Sequence, residues 1–407
     1  MFAEIFLYVY LSVIWATVIL WFAAILWTQH QLKVLSPLCF NDFLEQKQEP
    51  SVSVLLPARN EEKRILAKCV SSLLAQNYEN FQIIAVNDRS IDKTGEILHE
   101  FAKGDSKLRV IEGTELPARW LGKPFVLQQA LAQAKGEWVV STDADVVFAP
   151  EALRSAISYA ERNSFDALCL IPFDTCGSFW EAIFLPTFSW FRMLKMPPSR
   201  VNNPQHSASM GVGNFFLIRR TALQKIGGFE SVKTEVAEDL RLAELLKQSG
   251  ARFRLDYAPD LLQTRMYAGF REIWTGFTKN LFAGANFSLL NIIFGAVSIA
   301  MFGVLPVILA FFCFAAWLFT KQILFFWLLV PAILIYICQT IVFAVLYKAW
   351  SKPLGYAFFA PLGMALFGTI LLNSAIKVLT GRGVIWKGRA IYKRSGANLQ
   401  PPVLEKE

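Results

Sequence analysis

Two blocks of this 407-residue chain are too apolar to be left in water, and the stretch between them is not. Residues 5–27 run uncharged from Ile5 to Trp27, long enough for a hydrocarbon core that needs about 20 helical residues. No Lys or Arg precedes the run and no small-x-small cleavage pattern follows it, so it reads as a retained anchor rather than a signal peptide. The next basic residue is Lys33, and the bias of positive charge toward the cytoplasm places the polar middle of the chain there. Beyond residue 286 the runs 287–319 and 323–347 each qualify as spans. A third, 354–376, is interrupted by Pro361, Gly363 and Gly368. Three crossings after a cytoplasmic domain put the C-terminal tail outside, yet the tail is basic, with Lys377, Arg382, Lys387, Arg389, Lys393 and Arg394. A re-entrant 354–376 removes the conflict, provided that protein covers its backbone.

Between these blocks apolar runs of strand length alternate with helical periodicity. Val52–Leu56 ends at Pro57, Phe81–Val86 runs into Asn87 and Asp88, Leu108–Ile111 comes next, and Trp138–Val140 ends at Ser141. The intervening segments repeat apolar residues at helical spacing, with Asn60 in position to cap the first of them. Strand–helix repetition predicts an α/β domain on a parallel sheet, with ligands beyond the carboxyl ends of its strands. Six cysteines without a CxxC pair or a zinc-spaced histidine argue against a disulfide framework or a zinc site. The net charge of +8 gathers in the tail beside the spans, which points to lipid headgroups rather than nucleic acid.

Asp143 and Asp145 come after the fourth strand with one residue between them, a spacing that puts both side chains on one face of an extended chain. Two such carboxylates raise each other's pKa unless a cation lies between them. A hard divalent ion that also holds substrate phosphate resolves the conflict; a loop with two solvated aspartates is the other reading. Glu61 suits a first helical turn by the helix dipole alone. Lys123, at the start of the helix before the pair, is either a phosphate-binding cation or a solvated lysine. Glu238 and Asp239 have helical partners in Arg241 and Glu244 and read equally as a surface pair. Residues 178–198 are rich in aromatics but contain Pro186, which suits a segment lying in the membrane interface or a buried core element.

In order along the chain, SVSVLLPARNEE, VNDRSIDKT, STDADV and EVAEDLRLA resemble the family 2 glycosyltransferases of GT-A fold. RMYAGFREIWTGFTKN and GVIWKGRAIY are similar to membrane members that glycosylate lipids, among them the carotenoid- and hopanoid-associated branches and, more distantly, ceramide glucosyltransferase. The resemblance implies an α/β GT-A domain over 51–265. It is flanked by a transmembrane helix at 1–30 and a linker at 31–50, then by an amphipathic interfacial segment at 266–286, membrane segments at 287–380 and a basic tail at 381–407. It also implies that Arg59, Glu61, Asp88 and Lys123 contact the nucleotide sugar, as do Asp143, Glu238, Arg271 and Trp274. Asp145, with Asp143, would ligate Mg²⁺ or Mn²⁺. Asp239 would be the base that takes a proton from the acceptor hydroxyl in an inverting displacement. Asn87 stands where the family has a first acid. The QxxRW of processive synthases is dispersed here over Gln263, Arg265, Arg271 and Trp274.

The expected protein is therefore a metal-dependent hexosyltransferase of the plasma or inner membrane, with a cytoplasmic catalytic domain. It would move one sugar from a nucleotide donor to a lipid hydroxyl arriving from the bilayer, past the aromatic region after the metal site. A polyprenyl-phosphate glycosyltransferase, a processive polysaccharide synthase and a non-catalytic scaffold or transporter are the alternatives. Few charges inside the spans speak against an ion pathway.

Overall fold

A computed structural model of the chain describes residues 2–35, 38, 49–285, 288–380, 384–386 and 389–392. Most of the expected linker at 31–50 and most of the basic tail lie outside the described residues. Two compact units emerge, one built from Val34–Thr175 and Met196–Met266, the other from Met1–Lys33, Cys176–Lys195 and Tyr267–Pro402.

Helix α1 (Phe2–Val34) opens the chain. The sheet-bearing unit then begins with β1 (Val52–Ala58), α2 (Leu66–Leu74), β2 (Phe81–Asn87), α3 (Thr94–Gly104), β3 (Leu108–Glu112), α4 (Gly122–Leu131) and β4 (Trp138–Ser141). After β5 (Val146–Phe148), α5 (Ala152–Arg162), β6 (Ala167–Ile171) and β7 (Phe173–Asp174) the chain enters α6 (Phe179–Lys195) of the other unit. It returns with α7 (Pro198–Val201), β8 (Phe216–Arg219), α8 (Arg220–Lys225), α9 (Glu238–Gln248), β9 (Phe253–Tyr257) and β10 (Leu262–Thr264).

Seven strands form one sheet in the order β3-β2-β1-β4-β8-β6-β9. The first four are mutually parallel, as the strand–helix repetition requires. The expectation of an all-parallel sheet fails at β8, which lies antiparallel between β4 and β6. Strand alternation sorts the core onto two faces. Val54, Leu56 and Ile83 join one apolar cluster, while Leu55, Ile84 and Val86 join the other. Because β1 sits between β2 and β4, the strand order reverses there, and the loops leaving β1, β2 and β4 open at one end of the sheet.

Asn60 does not cap α2. That helix begins at Leu66, and Asn60 occupies the left-handed region at φ 51° within the turn after β1. Asparagine tolerates that conformation better than most residues because its short side chain bonds locally, and its Oδ1 accepts from Ile91 N at 3.0 Å.

In the other unit, α10 (Gly269–Gly284), α11 (Leu289–Ser298), α12 (Leu305–Thr320), α13 (Ile323–Ala349) and α14 (Ala360–Leu379) join α1 and α6. A π-helical turn at Ile299–Val304 makes α11 and α12 one continuous rod. By length and composition four stretches are able to cross a membrane, namely Tyr10–Val34, Leu289–Thr320, Ile323–Ala349 and Leu354–Leu379. Pro186, expected to interrupt 178–198, is accommodated inside α6. A proline there has no N–H to give to the carbonyl four residues back. That carbonyl, Ala182 O, instead accepts from Tyr347 Oη at 2.7 Å. Pro306 likewise frees Phe302 O, which accepts from Trp21 Nε1 at 2.9 Å. Gly363 and Gly368 leave α14 intact: a Cβ on Gly363 would stand 2.4 Å from Thr187 Oγ1 and 2.8 Å from Ile183 O. These glycines serve close helix packing.

Tyr347→Phe removes the donor to Ala182 O and leaves a buried carbonyl unpaired, which should destabilise the protein by about 1–3 kcal/mol. In a Pro186→Ala background the restored N–H should satisfy Ala182 O and abolish most of that loss. Thermal melts of the two single variants and the double variant in detergent measure the coupling.

Candidate active site

The site is assembled from loops at one end of the sheet. After β1, Arg59 Nη1 donates to Asp88 O at 2.7 Å and lies 3.6 Å from Asp88 Oδ2, tying the first loop to the second. Glu61 N donates to Thr94 Oγ1 at 2.7 Å and Asn60 N to Ser90 Oγ at 3.2 Å, so the two loops hold each other's shape. Asp88 is buried and is paired on its other side with Arg89.

Asn87 explains its own departure from the acid expected there. Its Nδ2 donates to Glu112 Oε2 at 2.7 Å, and Gly95 and Gly113 make room for it, since a Cβ on either would stand 2.8 Å from Asn87 Nδ2 or 2.9 Å from Asn87 O. A carboxylate at 87 would face Glu112 with like charge.

At the end of β4 the chain is pinned by buried Thr142, whose Oγ1 donates to Asn214 O at 2.7 Å. The next two aspartates then engage different cations. Asp143 Oδ1 lies 2.7 Å from Lys123 Nζ, and the same ammonium lies 2.7 Å from Glu238 Oε1. Asp145 Oδ2 faces Arg64 Nη1 at 3.8 Å, and Arg64 Nε faces Glu61 Oε2, also at 3.8 Å. Asp145 Oδ1 is buried and has no hydrogen-bond partner.

Lys123 is thus the hub, and the solvated-lysine reading falls away. Burial works against its charge, but Asp143, Glu238 and Asp239 outweigh that and hold its pKa well above the ordinary value. Gly213 makes the approach possible: a Cβ there would stand 2.7 Å from Lys123 Nζ, 3.1 Å from Asp143 Oδ2 and 3.6 Å from Asp239 Oδ2. Gly211 lets the start of α9 come close, since its Cβ would overlap Asp239 O. The surface-pair reading of Glu238 and Asp239 fails for Glu238, which is buried against Lys123.

In this cluster the carboxylates of Glu61, Asp143, Asp145, Glu238 and Asp239 outnumber the cations of Lys123 and Arg64. The excess appears as raised pKa values. Burial and then the charge of Asp143 push Asp145 up to about 7 against the pull of Arg64. Burial and then Glu238 push Asp239 up to about 7 against Lys123. Among the described residues no three His, Cys, Asp or Glu side chains converge as a metal-ligand set. What the protein offers a cation is the unpartnered Asp145 Oδ1 beside Asp143.

Eight of the expected site residues, Arg59, Glu61, Asp88, Lys123, Asp143, Asp145, Glu238 and Asp239, therefore lie on the sheet-bearing unit. Arg271 and Trp274 lie on α10 of the membrane unit, where the Trp274 ring is 5.8 Å from that of Phe270. Arg64 was not anticipated, although its i,i+3 spacing from Glu61 is a legible signal.

Residues 53–227 match the family description "Glycosyl transferase family 2". The matched stretch holds every expected site residue of the sheet-bearing unit except Glu238 and Asp239, which lie just past its end. The chain is 25% identical over 260 residues to 4,4'-diaponeurosporenoate glycosyltransferase of Staphylococcus aureus strain USA300, covering 63% of this chain and 65% of that protein. The strain MRSA252 protein of the same name matches to the same extent. The chain thus spans just under two thirds of these relatives' length. The resemblance to carotenoid-associated members is borne out. A mannosyltransferase from Pyrobaculum calidifontis, solved in complex with GDP-Man and Mn2+, is 20% identical with a TM-score of 0.53, over 91% of this chain and 98% of that one. The fold is GT-A.

Two outcomes test the local electrostatics. Asn87→Asp should destabilise the protein by roughly 1–3 kcal/mol by setting a carboxylate against Glu112, and Glu112→Gln should restore most of the loss; thermal melts of the single and double variants read both. Asp145 and Asp239 have folded pKa values of about 7 against 3.8 for an unperturbed aspartate, so the folded state holds extra protons between those values. Stability of the ligand-free protein should therefore fall as pH rises from about 4 to about 7, a trend that Asp145→Asn should flatten in melts taken across that range.

Proposed function

We propose that this chain transfers a single hexose from a nucleoside-diphosphate sugar to an acceptor on a membrane lipid, with inversion at the anomeric carbon. The carrying observation is the Lys123 bridge. One ammonium joins Asp143, at the end of β4, to Glu238, on the first turn of α9. Asp143 Oδ2 and Asp239 Oδ2 then face the same glycine, since a Cβ on Gly213 would stand 3.1 Å from the first and 3.6 Å from the second.

The division of labour follows from charge. Arg59, Asp88 and Glu61 form the wall for base and ribose, with Asp88 accepting from a ring N–H. Lys123 is the cation aimed at the diphosphate. A divalent ion, Mg²⁺ or Mn²⁺, fits at the unpartnered Asp145 Oδ1 with Asp143, and when bound supplies positive charge against the leaving diphosphate. The two side chains are too few to complete its shell, which suits an ion that takes its other ligands from phosphate and water. In the transfer step the acceptor oxygen bonds to the anomeric carbon while the bond from that carbon to the diphosphate oxygen breaks. The acceptor proton passes to Asp239, and the nucleoside diphosphate leaves with the bonding pair. A carboxylate whose pKa is near 7 is matched to that proton transfer.

The lipid acceptor is supported by the four apolar stretches and by the carotenoid relative. Lys33, the first basic residue past the apolar run that ends at Trp27, supports a cytoplasmic catalytic domain. A second reading has a specific basis: the compound in the relative's name, 4,4'-diaponeurosporenoate, is by its ending a carboxylate. An anionic acceptor needs no base, and its product is a glycosyl ester.

Membranes containing the protein, given labelled UDP-glucose, other UDP-sugars or GDP-mannose with Mg²⁺ or Mn²⁺, should yield label in the lipid extract, and chelation should abolish it. Asp239→Asn should lower turnover by about 10²–10⁴-fold with nucleotide binding retained. A product stable to mild alkali together with an inactive Asp239→Asn supports the hydroxyl acceptor. An alkali-labile product with an active Asp239→Asn supports the carboxylate. Label in a soluble polymer instead of lipid overturns the proposal.

A further inference from the structure

We propose that the fourth apolar stretch, Leu354–Leu379, does not cross the membrane. It enters the bilayer from the end of the helical unit where α1 finishes and returns to that same end. The chain then crosses three times, and Thr380, at the end of the fourth stretch, lies on the same side as Lys33.

The proposal rests on helix register inside the membrane unit. The rod α11–α12 and the helix α13 are joined by the short turn Lys321–Gln322 and run antiparallel, with Gln339 Nε2 donating to Gly303 O at 2.9 Å. From that level the rod continues seventeen residues to Thr320, about 25 Å of helix. This turn marks the far face. In the opposite direction α13 ends at Ala349, ten residues nearer the other face. Helix α1 fits the same frame: Trp21 bonds Phe302 O, and Val34 lies thirteen residues further toward the near face.

Helix α14 runs antiparallel to α11. A Cβ on Gly303 would stand 3.0 Å from Met364, one on Gly368 would stand 3.5 Å from Ile299, and one on Gly295 would stand 3.5 Å from Leu371. As α14 proceeds, its partners on the rod move from 303 to 299 to 295, away from the far face. Its later residues continue that way, with Ser374 Oγ accepting from Phe282 N at 3.0 Å, before the rod has begun. Met364, four residues into α14, is level with Gly303, and the turn before the helix lies slightly deeper, where Tyr336 Oη donates to Phe358 O at 3.0 Å. The segment from Ala349 to Leu379 therefore begins and ends at the near face, and its deepest point stops about 20 Å short of the far turn. A hydrocarbon core about 30 Å thick leaves it an excursion into one leaflet only.

The chemistry of the excursion fits one leaflet's acyl chains. Leu354, Phe358, Phe359 and Leu362 are exposed. The 3-10 turn Leu354–Phe359 keeps its backbone bonded, as non-helical backbone at membrane depth requires. Lys33, Lys348, Lys352 and Lys377 then share the near face, and the charge conflict of a fourth crossing disappears.

Single reporter cysteines at exposed positions test this in sealed vesicles of both orientations, in a chain whose native cysteines are replaced by alanine. An impermeant maleimide should label Ser351→Cys and Thr380→Cys from one side and Gln322→Cys only from the other. Labelling of Thr380→Cys from the Gln322 side overturns the proposal. A protease-cleavable C-terminal tag on the otherwise native chain gives the same reading without cysteine replacement. It should be cleaved in the orientation that labels Ser351→Cys, and cleavage only in the opposite orientation overturns the proposal.

Discussion

One ammonium group holds the candidate site together. Lys123 sits between carboxylates brought by β4 and α9, two elements that the sheet topology alone would leave as independent loop ends. A lysine between buried carboxylates is stable only while it stays charged and close, because removing one partner of a buried pair leaves the other uncompensated. The closeness depends in turn on Gly211 and Gly213, where any side chain would meet Asp239 or Lys123. The remaining carboxylates are short of positive charge, and this shortage, with burial, raises the pKa of Asp145 and Asp239 to about 7.

The membrane unit obeys a different constraint. Without water, each backbone carbonyl that a proline frees must find a donor. Tyr347 serves Ala182 O beneath Pro186, and Trp21 with Gln339 serves Phe302 O beneath Pro306. Each repair joins helices far apart in sequence, so the residues that distort single helices also stitch the unit together. Close packing at Gly363 does the same for α6 and α14.

Much of this was legible from residue order. Strands β1 to β4 stand within a residue or two of the apolar runs that announced them, because period-two burial in a parallel sheet leaves a strong pattern. Asp88, Asp143 and Asp145 were readable for the same reason: each lies just past the end of a strand. What two-residue spacing could not convey was that Asp143 and Asp145 would turn to different cations, since the chain leaves the strand at Thr142 and strand geometry no longer applies. The helix cap expected at Asn60 became a left-handed turn because Ser90 and Ile91, from another loop, offered it better partners.

Sequence by itself determined the partition into anchor, α/β domain and apolar C-terminal region, because hydropathy and strand–helix periodicity are local properties. It also supplied the ordered acids, whose residue types can be read without coordinates. Tertiary structure alone decided that Lys123 is a bridge, that Asn87 answers Glu112, and that α14 runs back along α11 instead of onward to the far face. Each of these depends on which groups meet across tens or hundreds of residues, and a composition window averages that information away.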